Sequence, residues 1–248
     1  MLNLFARFVQ RSIVAGSVLS TIGYAECCHF DVGTTYVMPF GYNTSGDISP
    51  ISNLGDSYPV QHLTYSNGLS ADITFGVNLP CCFRLDLNYQ YLQTDISTAS
   101  AFKGSGSDYA DTSSSYAASL NINTLYVTGR YELQNVVCIG PTAMSLFIQG
   151  GLGAANQALY HQSIIFLNGG ATAQVSPYNV WQFAYTAAGG LKFQLSNIWF
   201  LDLGARYMNY GSYNSGRQIA DFPNAQLNAP VQAHLWTIAP FLNLSLHF

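Results

Sequence analysis

Residues 232–248 read Gln-Ala-His-Leu-Trp-Thr-Ile-Ala-Pro-Phe-Leu-Asn-Leu-Ser-Leu-His-Phe. From Trp236 onward every second residue is large and apolar: Trp236, Ile238, Pro240, Leu242, Leu244, Leu246 and Phe248. Between them stand Thr237, Ala239, Phe241, Asn243, Ser245 and His247, so one face is apolar and the other mostly small or polar. A period of two belongs to a strand, not a helix. The apolar face needs cover, and the rest of the chain decides whether that cover is a protein core or lipid.

Composition narrows the choice. Charged residues make up only 8% of the 248, while Tyr, Phe and Gly number 17, 15 and 22. A soluble domain carries about a quarter charged residues and uses them to keep its surface wet. Beyond the amino terminus no apolar run is long enough for a membrane helix, which needs about twenty residues. Few charges, many aromatics and alternation together predict an all-β transmembrane barrel, and the eight alternating stretches of the chain make it an eight-stranded antiparallel up-and-down transmembrane β-barrel. Residues 1–25 read as a signal peptide: Arg7 and Arg11 precede an apolar stretch over 12–22, and Gly23-Tyr24-Ala25 ends in a small residue. The barrel is then expected over 26–248. Without Arg7 and Arg11 the chain carries six bases against twelve acids, a balance that argues against nucleic-acid binding.

Seven further alternating stretches precede the last: 29–40, 69–79, 83–92, 118–133, 142–155, 180–195 and 198–210. In the fourth, Leu120 and Ile122 fall on the parity opposite to Leu125, Val127 and Tyr131, which suggests a bulge or a strand running on beyond the membrane. Short turns follow strands two, four and six, Ser196-Asn197 being short enough to require a hairpin. Long polar segments, 41–67, 93–116, 156–179 and 211–231, follow the odd strands. In outer-membrane barrels the turns face the periplasm and the long loops the exterior.

The charges test this arrangement. On the polar side of the strands lie Asp31, Asp72, Arg84, Asp86, Arg130, Glu132, Lys192, Asp202 and Arg206, and the apolar faces carry none. An Arg or Lys facing mid-membrane lipid costs about 2–4 kcal/mol, which explains the exclusion. A soluble ligand-binding barrel would show the reverse pattern, apolar inside and charged outside. The interior of eight strands is just wide enough to be filled by side chains. Five acids and four bases there predict a nearly neutral ion-pair network that closes the lumen.

The segment Ala184-Tyr185-Thr186-Ala187-Ala188-Gly189-Gly190-Leu191-Lys192-Phe193, followed by Leu201-Asp202-Leu203-Gly204-Ala205-Arg206-Tyr207, resembles paired strands of small bacterial outer-membrane barrels of the OmpA, OmpX and opacity-protein type. The final Leu244, Leu246 and Phe248 resemble the insertion signal of such barrels, whose last strand pairs with the first. The resemblance implies a surface protein of the outer membrane with no open channel and no cofactor. Its implied partners are outer-membrane lipid, lipopolysaccharide, the outer-membrane assembly machinery and a host or surface ligand at the long loops. An outer-membrane hydrolase acting on lipid A or peptides, and a small-solute channel, are the alternatives.

Other motifs carry less. Gly150-Gly151-Leu152-Gly153 opens no helix and reads as close packing in a narrow barrel, not a phosphate cradle. His29, His62, His161, His234 and His247 have no metal-ligand spacing. A hydrolase would need a loop serine beside His161 or His234. The five cysteines fall where the periplasmic rim is expected: Cys27 and Cys28 before strand one, Cys81 and Cys82 in the turn after strand two, and Cys138 in the turn after strand four. A disulfide between the first and second pairs suits strand adjacency in an oxidising compartment, with Cys138 left free or bridging to another protein.

Overall fold

The computed structural model describes residues 28–37, 39–45, 63–79, 82–101, 113–139, 142–166, 171–216, 218–220, 222–226 and 232–248. The expected signal peptide and much of the long connections lie outside them. Eight strands build the wall: β1 (Cys28–Val37), β2 (Gly68–Leu79), β3 (Phe83–Ala101), β4 (Ser113–Ile139), β5 (Thr142–Phe166), β6 (Tyr178–Gln194), β7 (Trp199–Asn214) and β8 (Gln232–His247). Each pairs antiparallel with its sequence neighbours, and β1 pairs with β8 from His29↔His247 to Thr35↔Phe241, so the sheet closes. Beyond β1, Pro39–Ser45 continues the seam against β8. Closure satisfies the backbone that lipid cannot.

Alternation sorts the side chains. Along β3, Phe83, Leu85, Leu87 and Tyr89 are exposed, whereas Arg84, Asp86, Asn88 and Gln90 are buried in the lumen. On β8, Ile238, Leu242 and Leu244 point outward and Thr237, Ala239, Asn243 and Ser245 inward. An exposed apolar belt on a closed barrel is the lipid-facing surface of a membrane protein.

The strands run further than the hydrophobic pattern suggests. β4 has 27 residues and β5 has 25, against the 9–11 or so that cross a bilayer. Expected loop residues from Gln93, Asn156 and Gly211 onward therefore stand in regular strands. Beyond lipid the outward face of β3 becomes Gln93, Asp95 and Ser97, so hydropathy stops alternating although β3–β4 pairing continues to Ala101↔Ser113.

Leu120 and Ile122 mark no bulge in β4. Even-numbered residues from Tyr116 to Glu132 all face inward, and pairing with β3 is unbroken across them. These two residues join an apolar core inside the outer half of the barrel. The bulge is on β5, where Ala117↔Ser163 gives way to Ser119↔Tyr160 and His161 takes φ 49°. A second bulge, in β7, sits at Gly211 with φ 80°, a conformation glycine adopts at little cost.

Candidate functional site: the lumen

The lumen is built in layers. All nine inward charges of the sequence pattern are buried. Arg84 pairs with Asp31 through Nη2 and with Asp86 through Nε at 2.9 Å. On the neighbouring strand β4, Arg130 Nε lies 2.7 Å from Glu132 and Nη1 pairs with Asp202, while Lys192 Nζ reaches Glu132 at 3.2 Å. Further outward Arg206 Nη1 stands 3.4 Å from Asp72, whose Oδ2 also accepts a 2.6 Å hydrogen bond from Thr35. Arg84 and Arg130 are directly cross-strand, a like-charge placement tolerated here because each is held by two carboxylates.

Five acids against four bases leave one acid over. His29, on the same face of β1 as Asp31, meets Asp86 at 2.9 Å with both side chains fully buried. Gly76 makes this possible, since a Cβ there would collide with both partners. Sequence reading treats the histidines singly and misses this one; its parity with Asp31 was the available signal. His247 also faces inward, 3.5 Å from Lys192 Nζ and ring to ring with Phe200 at 4.3 Å. On the periplasmic side of this layer opens a cavity of about 460 Å³ whose lining includes Glu132, Lys192, Ser145 and His247.

Two aromatic rings cross the lumen between the ionic groups. Phe147 and Phe241 lie 6.1 Å apart; the Arg130 guanidinium sits 3.6 Å over the first and Arg206 4.7 Å over the second. Glycines opposite leave the room: a Cβ on Gly190 would come within 2.9 Å of Phe147, and one on Gly204 within 2.9 Å of Phe241. In β5, Gly151 and Gly153 likewise face inward against the β4 backbone, whereas Gly150 faces out with open space.

Above the rings Tyr210 OH donates to Gln90 (3.0 Å), which donates to Ser70 (3.1 Å). Then the lumen turns apolar: Val37, Leu92, Ile96, Leu120, Ile122 and Leu159 are all at most 1% exposed, with Tyr116 and Tyr213 beside them. The expected closure by polar and charged groups alone is thus incomplete. Many inward positions on the outer half are apolar, and that half carries a core of its own beyond the lipid.

This outer core holds the buried phenols of Tyr116 and Tyr213, with Tyr65 partly buried against it. Tyr65 OH donates to Tyr213 OH at 3.4 Å. Burial pushes the Tyr65 phenol up to about 12, with the Tyr213 hydrogen bond pulling the other way, and burial likewise raises Tyr116 and Tyr213. A phenol held neutral in the fold ionises in the unfolded chain from about pH 10, so its contribution is intact below that and disappears as pH climbs. The denaturation midpoint should fall between about pH 10 and 12, and Tyr65→Phe should shrink the fall; an identical fall in both proteins would contradict this role.

The hydrolase alternative meets an obstacle at His234. Gly211 N–H donates to Asn209 Oδ1 (2.9 Å), turning Asn209 Nδ2 toward Tyr185 OH (3.1 Å) and His234 Nε2 (2.8 Å). The imidazole proton is then on Nδ1, donated to Ser212 Oγ 3.2 Å away. A nucleophilic serine needs the reverse, a ring nitrogen that accepts its proton. Among the described residues no group of His, Cys, Asp and Glu is arranged to hold a metal.

At the rim, Cys28 and Cys82 are free thiols in this structure. Cys27 and Cys81 lie outside the described residues. Cys138 belongs to β4, not to a turn: it pairs with Ala143, after a bulge between Leu133 and Val137 breaks the alternation on which a strand end at 133 rested. At the seam, Leu244 is exposed and Leu246 partly so, and Phe248 exchanges backbone hydrogen bonds with Cys28 at 3.0 and 3.3 Å.

Solved structures share this architecture. OprG from Pseudomonas aeruginosa superposes with a TM-score of 0.50 at 13% identity, covering 90% of this chain and 98% of that one. The fold is that of the small bacterial outer-membrane barrels. The outer-membrane protease OmpT from Escherichia coli gives 0.49 at 9% identity over 90% and 94% of the two chains, and neisserial surface protein A gives 0.43 at 11% over 89% and 97%. No protein-family model and no curated protein matches. The outer-membrane barrel described here therefore shares its fold with OprG, and its role must be read from its own residues.

Proposed function

We propose that this outer-membrane barrel is a closed, non-enzymatic scaffold with a structural or surface-interaction role, which holds its extracellular segments away from the bilayer and passes no solute. The observation that carries the reading is the double seal: buried ion pairs and two phenylalanine rings in the membrane, and an apolar core above them. Either layer fills a lumen that eight strands make narrow. Strands of up to 27 residues give the extracellular end a rigid stalk, and binding functions concentrate on loops held by such scaffolds. Residues 1–25 direct export, the assembly machinery reads Leu244, Leu246 and Phe248, and lipid with lipopolysaccharide surrounds the belt. Liposomes containing the refolded protein should not swell in isotonic solutions of small sugars; swelling at a porin-like rate would overturn the reading.

A further inference from the structure

At the outer edge of the apolar belt, five consecutive strands end their lipid-facing row on the same chemistry. The first outward residue past the belt is Asn67 beside β2, Gln93 on β3, Asn123 on β4, Asn156 on β5 and Asn179 on β6. Each stands two residues from an outward apolar or aromatic neighbour, Leu69, Tyr91, Leu125, Ala154 and Trp181 respectively. From β4 to β6 the collar is continuous: Asn123 and Asn156 are direct cross-strand partners, and Asn156 Nδ2 donates to Asn179 Oδ1 at 2.6 Å. It is tied to the aromatic belt beneath. Asn67 donates to Tyr36 OH (3.1 Å) and Tyr89 OH donates to Asn123 (2.6 Å). At the other end of the belt the outward residues are Leu79, Phe83, Leu133, Leu195 and Trp199, so the collar belongs to one membrane face only.

A carboxamide has two donors and two acceptor lone pairs, and these bonds use only part of them. Hydroxyl groups, which also donate and accept, are the matching partner. Phosphate is not, because it is recognised by Arg and Lys. Among the described residues the only charged side chain outside the lumen is Asp95, an anion two residues beyond Gln93. We propose that the carboxamide collar binds the sugar hydroxyls of glycolipid headgroups in the outer leaflet and does not use their phosphates.

The test compares unfolding rates of the refolded full chain in three vesicles: phosphatidylcholine alone, phosphatidylcholine with the neutral glycolipid galactosyl diglyceride, and phosphatidylcholine with anionic phosphatidylglycerol. Unfolding should be slower with the galactolipid and unchanged by phosphatidylglycerol. One net hydrogen bond is worth about fivefold in rate, so Asn123→Ala with Asn156→Ala should shrink the ratio of the unfolding rate in phosphatidylcholine to that in galactolipid by about that factor, while Asn123→Gln keeps the ratio. Should the double variant fail to insert, Asn179→Ser at the exposed strand end provides the same comparison. Equal rates in the first two vesicles, slowing by phosphatidylglycerol alone, or an undiminished galactolipid effect in the variants would each overturn the proposal. Sugar permeation is indifferent to all of these, so the closed-lumen reading stands or falls separately.

Discussion

Arg130→Ala is expected to lower the stability of the inserted barrel by about 3–5 kcal/mol, the usual cost of leaving a buried charge without its partner. Asp202, fully buried, loses the arginine that pairs with it, and Glu132 loses one ion-pair partner while keeping Lys192. The Phe147 ring also loses the guanidinium above it. Arg130→Lys should recover part of the loss, since one ammonium cannot fork between Glu132 and Asp202. Urea unfolding of the refolded protein in lipid measures both, and a midpoint unchanged in Arg130→Ala would mean the ion pairs are not stabilising.

Leu203→Arg should have an effect of similar size from the opposite face. Leu203 points outward from β7, between Leu191 and Leu242 in the belt. A guanidinium there meets hydrocarbon at a cost of about 2–4 kcal/mol, and folding into vesicles should largely fail. Asp95→Ala, exposed beyond the belt with a hydrogen bond from Ser119, should change stability by less than about 1 kcal/mol. Equal folding yields for the two variants would contradict a lipid-facing β7.

The lipid-facing half of this molecule is legible in the sequence because two strong rules act there at once. A period of two assigns each side chain to a face, and lipid rejects charge, so Arg84 and Leu85 can be sorted without a structure. Three things are not legible. Partner choice in the lumen depends on register across the barrel; no spacing shows that Arg130 reaches Asp202 on β7. The contact of His29 with Asp86 depends on Gly76, the cross-strand partner of both. The outer core and the long strands escape for a related reason: past the belt, residues such as Gln93, Thr94 and Asp95 keep the backbone pairing but lose the apolar face, while Leu120 and Ile122 become buried from the inside. The cysteines show the same limit, since Cys138 looked like a turn residue only because a bulge interrupts the alternation before it.

The claim on which the account depends is that the lumen is sealed by two independent layers. Steady current across planar bilayers holding the wild type and Arg130→Ala side by side tests it most directly. The account predicts no steady conductance in either, because the apolar core of Leu92, Leu120 and Ile122 remains closed when the ionic layer is cut. Steady porin-size current through the wild type, or its appearance on Arg130→Ala alone, would contradict it.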